Sequence, residues 1–187
     1  MLSIQESINR GAIPATVLKV IIDRPNSIAE TRARDQGMPV QVIDRKDQFF
    51  RKRLEDELLK INPDFIVLAG FLSILPDSIL DNFRHRIINT HPALLPCFGG
   101  MGMYGLRVHR AVIESGARYS GCTIHLVTGE VDGGPIIAQS IVEVKDNDTA
   151  ESLSDRVKEA EHLLMTETLR KLLTSDYAVS GKRVVFS

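Results

Sequence analysis

Three short stretches of this sequence combine residue types that can stabilise charge and move protons. The first is Asn89-Thr90-His91-Pro92. If these residues end a β-strand, the period-2 alternation of strand side chains sends Asn89 and His91 to the same side. A carboxamide and an imidazole placed there can both donate hydrogen bonds to one developing oxyanion. Taken alone, the pair also reads as an Asn turn cap beside a surface histidine. The second stretch is Thr123-Ile124-His125, where alternation puts Thr123 and His125 on one face and Ile124 and Leu126 on the other. A core histidine with its hydrogen bonds satisfied is the commoner meaning of that pattern. The third, Glu130-Val131-Asp132-Gly133-Gly134-Pro135, holds a carboxylate in a turn with two glycines, and by itself it is simply a hairpin turn. A carboxylate close to His91 would favour the imidazolium, which suits a group that donates a hydrogen bond or proton near neutral pH.

The elements that must position these residues alternate along the chain. Apolar, β-branched Thr16 to Ile22 predicts a strand, Asp23 to Ser27 a turn, and Ile28 to Gln36 a helix stopped by Gly37. Pro39 to Ile43 follows as a strand. Lys46 to Ile61 is a helix with Phe50, Leu54, Leu58 and Ile61 on one face, and Asp64 to Ala69 is an uninterrupted apolar strand. Continuous apolar strands predict burial on both faces, so the fold class is α/β: a doubly wound, mostly parallel sheet with flanking helices. Arg86 to Asn89 forms a further strand whose C-terminal end carries the first motif, where open α/β sheets place their ligands. The Gly- and Pro-rich stretch from His91 to Gly105 is long for a connection and is expected to serve function. A helix from Arg107 to Glu114 follows it. Thr123 to Val127 and Ile136 to Val144 predict an antiparallel addition to the sheet. Thr149 starts a long helix to Leu173 with Leu153, Val157, Ala160 and Leu164 as its core stripe, and Arg183 to Phe186 forms a last strand.

No linker, repeat or low-complexity tract divides the 187 residues, so a single domain over 1–187 is expected. Lys and Arg total 23 against 24 for Asp and Glu, a formal net charge of -1, which supplies no bulk field for nucleic acid or an anionic membrane. No apolar run approaches the roughly 20 residues of a membrane span, and Met1 to Glu6 has neither a basic start nor an apolar stretch, so the expected address is cytoplasmic. Cys97 and Cys122 stand alone, which predicts reduced thiols and argues against a zinc knuckle.

Taken together the motifs resemble a known family. Asn89-Thr90-His91-Pro92-Ala93-Leu94-Leu95-Pro96, then Gly121-Cys122-Thr123-Ile124-His125, then Val131-Asp132-Gly133-Gly134-Pro135-Ile136-Ile137 are similar, in order and spacing, to the blocks of the folate-dependent formyltransferases. Val67-Leu68-Ala69-Gly70-Phe71 and Glu161-His162 extend the likeness over nearly the whole chain. The resemblance implies a Rossmann-like formyltransferase fold and transfer of a formyl group from 10-formyltetrahydrofolate, as co-substrate, to the amine of glycinamide ribonucleotide in purine biosynthesis. It implies that Asn89 and His91 polarise the formyl oxygen, that Asp132 completes the trio, and that His125 orients Asn89 or passes a proton. It assigns Phe71, Leu72, Ser73, Ile74, Leu75, Val131 and Gly133 to the folate pocket, and Pro92, Lys158 and Glu161 to the acceptor, with the glutamate at its ribose. No metal and no covalent intermediate is required.

Departures from the family pattern are equally legible. Ser73 stands where an arginine is common, so only backbone contacts would persist there, and Cys97 to Gly105 forms a longer loop that is expected to border the site. Leu2 to Asn9 resembles the family's first helix, so the expectation is a sheet without the family's preceding strand and phosphate-holding loop. A folate pterin would then still bind, a ribonucleotide would bind poorly, and exposed ladder groups would invite a homodimer. Two other readings stay open at this point: a related transferase or formyltetrahydrofolate hydrolase with another acceptor, and a non-catalytic folate-binding module.

Overall fold

The computed structural model describes residues 1–187 and contains six helices and eight strands. In chain order they are α1 (Leu2–Asn9), β1 (Val20–Ile22), α2 (Ile28–Asp35), β2 (Val40–Val42), α3 (Phe50–Ile61), β3 (Ile66–Leu68) and α4 (Asp77–Asn82). There follow β4 (Ile87–His91), α5 (Leu106–Glu114), β5 (Tyr119–Leu126), β6 (Ile136–Glu143), α6 (Ala150–Thr174), β7 (Tyr177–Ser180) and β8 (Arg183–Phe186). Strands β1 and β2 pair in parallel as a two-stranded sheet, and the other six form a mixed sheet of order β3-β4-β5-β6-β8-β7. In that sheet β3–β4 and β6–β8 are parallel, while β4–β5, β5–β6 and β7–β8 are antiparallel.

Helices cover both faces of the sheet. Ile87 and Ile88 are both buried on β4, and alternation sends them in opposite directions. Ile88 joins a core with Ile124 and Leu126 of β5 and Leu153, Val157 and Leu164 of α6. Ile87 joins a second core with Phe50, Leu54 and Leu58 of α3 and Ile79 and Phe83 around α4. Partly buried Ile21 of β1 and Ile66 and Leu68 of β3 pack on this second core, yet no ladder joins the two sheets.

Local chemistry sets the boundaries. Ser27 caps α2 by accepting from the Glu30 amide, and Gly37 takes the left-handed conformation just beyond its end. Thr149 and Ser152 form a reciprocal capping box at the start of α6. Three expectations need amendment. Strand β3 packs on both cores, Val67 on the first and Ile66 and Leu68 on the second, but it is only half-buried because it is the edge of its sheet. Two elements, α4 and β7, carried too little periodicity to be read: α4 has six residues, and β7 has four. The sequence contained one unused sign of β7, since Gly181 at φ 57° and Lys182 make the two-residue turn that pairs it with β8.

Both cysteines are free. Cys97 is exposed, whereas Cys122 lies at 0% exposure in the core and burial pushes its thiol up to about 11. Labelling of the native protein with a thiol reagent at pH 8 is therefore expected to modify Cys97 and spare Cys122 until unfolding. Two equivalents reacting at the same rate in the native state would contradict this packing.

Candidate active site

The antiparallel register of β4 and β5 places Asn89 directly opposite His125 and His91 opposite Thr123. Cross-strand partners of this kind point to the same face and lie within side-chain reach. The result is a chain of hydrogen bonds with fixed direction. His125 Nδ1 lies 3.0 Å from the Leu126 carbonyl oxygen, so it carries the proton and donates. Burial holds the His125 pKa below the ordinary histidine value, with the nearby His91 acting in the same direction and Asp132 and the Leu126 carbonyl opposing. The ring is thus neutral and its Nε2 accepts, which turns the Asn89 amide nitrogen toward it at 3.1 Å. An amide nitrogen has two hydrogens, so Asn89 retains one donor for a ligand.

His91, only 3% exposed, is held from two sides. Its Nε2 donates to the Phe98 carbonyl at 2.8 Å, and its Nδ1 lies 3.3 Å from Asp132 Oδ2. Both ring nitrogens thus face oxygen acceptors, which fixes the orientation of the ring. Asp132 takes a left-handed backbone conformation, φ 54°, at the tip of the turn before β6. Its Oδ2 also accepts from the Gly100 amide at 3.0 Å, and its Oδ1 stands 3.7 Å from His125 Nε2. The last separation is no hydrogen bond, because that nitrogen accepts from Asn89.

Behind His91 the backbone is fixed by a buried polar network. The Thr123 hydroxyl donates to the Ala93 carbonyl at 2.7 Å and accepts from the Leu95 amide and from Gln139 Nε2, both at 3.0 Å. Gln139 also donates to the Leu95 carbonyl at 2.9 Å. In a site with little water such satisfied networks are rigid. The sequence reading missed the Phe98 carbonyl and the Gly100 amide, since backbone groups leave no residue-type signal. Gln139 carried no signal that set it apart from the other polar residues of its strand, Ser140 and Glu143.

The remaining candidates sit around this centre. Phe71 packs beside Phe50 with ring centroids 6.5 Å apart, and the 71–75 segment follows β3, whose last residue Leu68 is paired with Asn89. Within it Leu75 is buried, Phe71 and Ser73 are half-buried, and Leu72 and Ile74 project outward. Val131 is exposed and Gly133 half-buried in the turn that holds Asp132. Pro92 is half-buried directly after His91. Glu161 and Lys158 are both on α6: Lys158 is paired with Asp155 at 3.0 Å, and Glu161 faces Thr90 between Asn89 and His91. Burial raises the Glu161 pKa, opposed by the charges of His162 and of the terminal amine.

The neutral state of His125 is directly measurable. In an NMR titration the midpoint of its ring should fall below pH 6.5, where an ordinary histidine is half charged. A midpoint at or above that pH would overturn the tautomer assignment and with it the direction of the Asn89 hydrogen bond. His125 and buried His109, also lowered by burial, bind protons less well folded than unfolded. Their contribution to stability is therefore complete above pH 6.5 and is lost as the pH falls through their lowered folded values. Raised Glu161 has the opposite sign, losing stability as the pH climbs above 4.5 through its folded value.

Comparison with known proteins shows the family and the fold. Residues 2–169 match the family model described as formyl transferase. A chloroplastic phosphoribosylglycinamide formyltransferase of Arabidopsis thaliana is 43% identical over 171 residues, which are 89% of this chain and 59% of that protein. The chain thus spans little more than half the length of such curated plant relatives. The crystal structure of glycinamide ribonucleotide transformylase 1 from Symbiobacterium toebii superposes with a TM-score of 0.90 at 34% identity, covering 98% of this chain and 86% of that one. A formyltetrahydrofolate deformylase from Pseudomonas syringae shares the fold, with a TM-score of 0.87 at 23% identity over 99% of this chain and 61% of its own.

Proposed function

This chain belongs to the formyl transferase family, and on that basis we propose that it transfers the formyl group of 10-formyltetrahydrofolate to the amine of glycinamide ribonucleotide. The observation that carries the reading is the convergence of Asn89, His91 and Asp132 at the end of β4, with one Asn89 hydrogen free and the His91 Nε2 donor held only by the Phe98 carbonyl. The acceptor amine attacks the formyl carbon, a C–N bond forms, and negative charge collects on the formyl oxygen. Asn89 Nδ2 and His91 Nε2 are the donors to that oxygen, which must displace the Phe98 carbonyl from His91. Collapse of the adduct breaks the bond to N10 of the folate. One proton leaves the amine and one arrives at N10, and the His91–Asp132 pair is the nearest group able to carry it.

The folate lies against residues 71–75, Val131 and Gly133 on this reading, and the ribonucleotide between Pro92 and the α6 residues Lys158 and Glu161. The chain acts as a single domain over 1–187. Its unpaired cysteines support a reducing compartment, the cytoplasm. The open edge of the two-stranded β1–β2 sheet supports a homodimer, which sedimentation measures. The experiment that tests the reading is an assay of purified protein with 10-formyltetrahydrofolate, with and without glycinamide ribonucleotide. Release of tetrahydrofolate only when the ribonucleotide is present is the expected result. Equal release without it would make the protein a hydrolase, and no release under either condition would remove the catalytic reading.

A further inference from the structure

The C-terminal hairpin reaches back to the turn that carries Asp132, and we infer that Lys182 is a positioning residue for that carboxylate. The inference rests on the role proposed above for Asp132. Lys182 occupies the turn between β7 and β8, outside the 2–169 segment that matches the family model. Its Nζ donates to the Gly133 carbonyl and to Glu130 Oε2, the latter at 2.9 Å. Its own backbone carbonyl accepts from the Ile136 amide at 2.9 Å, so one residue holds both the tip and the far end of the turn. The Glu130 side chain folds across Gly133, lying where a Cβ on that glycine would be, 2.1 Å from Glu130 Cδ, and so delivers its carboxylate to Lys182. The Gly133 amide closes the turn on the Glu130 carbonyl at 3.2 Å.

The Lys182 and Glu130 side chains are 71% and 68% exposed, so the ion pair itself adds little to global stability. What it fixes is direction. Asp132 stands between two gripped residues in a left-handed conformation that is uncommon outside glycine, asparagine and aspartate. Ammonium donation to the Gly133 carbonyl sets the plane of the Gly133–Gly134 peptide and so holds the residue that follows Asp132. The 3.3 Å approach of Asp132 to His91 depends on it, and small displacements of a catalytic group cost rate disproportionately.

The test is a comparison of Lys182→Met, Lys182→Arg and Asp132→Asn, singly and combined. Lys182→Met should lower kcat about fivefold with both KM values nearly unchanged and the melting temperature within about 2 °C. Lys182→Arg, which can still donate to a carbonyl and a carboxylate, should recover most of the rate. In the Asp132→Asn background Lys182→Met should have no further effect, since it acts through that carboxylate. A full fivefold loss in that background, or an unchanged kcat in the single variant, overturns the inference. If the wild-type protein proves inactive, the formyl-transfer reading falls, and hydrogen exchange of amides 131–134 decides this one. Exchange accelerated about tenfold by Lys182→Met upholds the clamp, and unchanged exchange overturns it.

Discussion

Replacing His91 by alanine is expected to lower kcat for formyl transfer by about 10²- to 10³-fold while leaving folate affinity within a few-fold of wild type. The asymmetry follows from where the ring sits. His91 is buried between Asp132 and the Phe98 carbonyl, and on the proposed reading it acts only where the formyl oxygen becomes negative. Loss of one preorganised donor costs most in the transition state, where the charge on that oxygen is largest. Asn89→Ala removes the second donor and should cost about 10²-fold. It also leaves His125 Nε2 without its partner, so part of its effect is on the order of that side chain. Asp132→Asn should behave as a weaker His91→Ala, because it removes the carboxylate that lies 3.3 Å from His91 Nδ1 and orients the ring. Steady-state kinetics on variants whose circular dichroism matches wild type measures all three. Turnover within threefold of wild type in His91→Ala would place the chemistry elsewhere.

The second large effect is expected at a residue with no chemistry of its own. Gly134→Ala should destabilise the fold by about 3 kcal/mol and abolish measurable turnover. A methyl group at this position would stand 1.8 Å from the Leu126 carbonyl oxygen and 3.3 Å from Thr128 Cγ2. The first contact is with backbone, and it cannot be relieved by a rotamer change. The Leu126 carbonyl also accepts from His125 Nδ1, so moving it breaks the bond that fixes the His125 tautomer. Moving the glycine instead pulls the 130–134 turn and Asp132 away from His91. Urea unfolding gives the stability and the formyl-transfer assay the rate. A variant with wild-type stability and activity would show that the turn holds Asp132 with more slack than its contacts indicate.

Much of this site was readable because strand alternation is a local rule. Asn89 and His91 had to share a side once they ended a strand, and so did Thr123 and His125, whatever the rest of the chain did. Their residue types then limited what they can do to donating hydrogen bonds and carrying a proton. Helices α3 and α6 announced themselves in the same way, through apolar stripes whose period is set within the helix. The family likeness lay in three blocks of side chains and needed no coordinates.

The sequence alone therefore determined which groups are available and which of them face together within one strand. The tertiary structure decided which groups meet. Asn89 is opposite His125, and not His91, because of the register of β4 on β5, and register depends on side chains from both strands and both cores. Asp132 reaches His91 across 41 residues only because a left-handed turn, gripped by Gly100 on one side and by the C-terminal hairpin on the other, aims it there. The backbone partners Phe98 and Gly100 illustrate the same limit. A peptide group is identical at every position, and only folding assigns it a place.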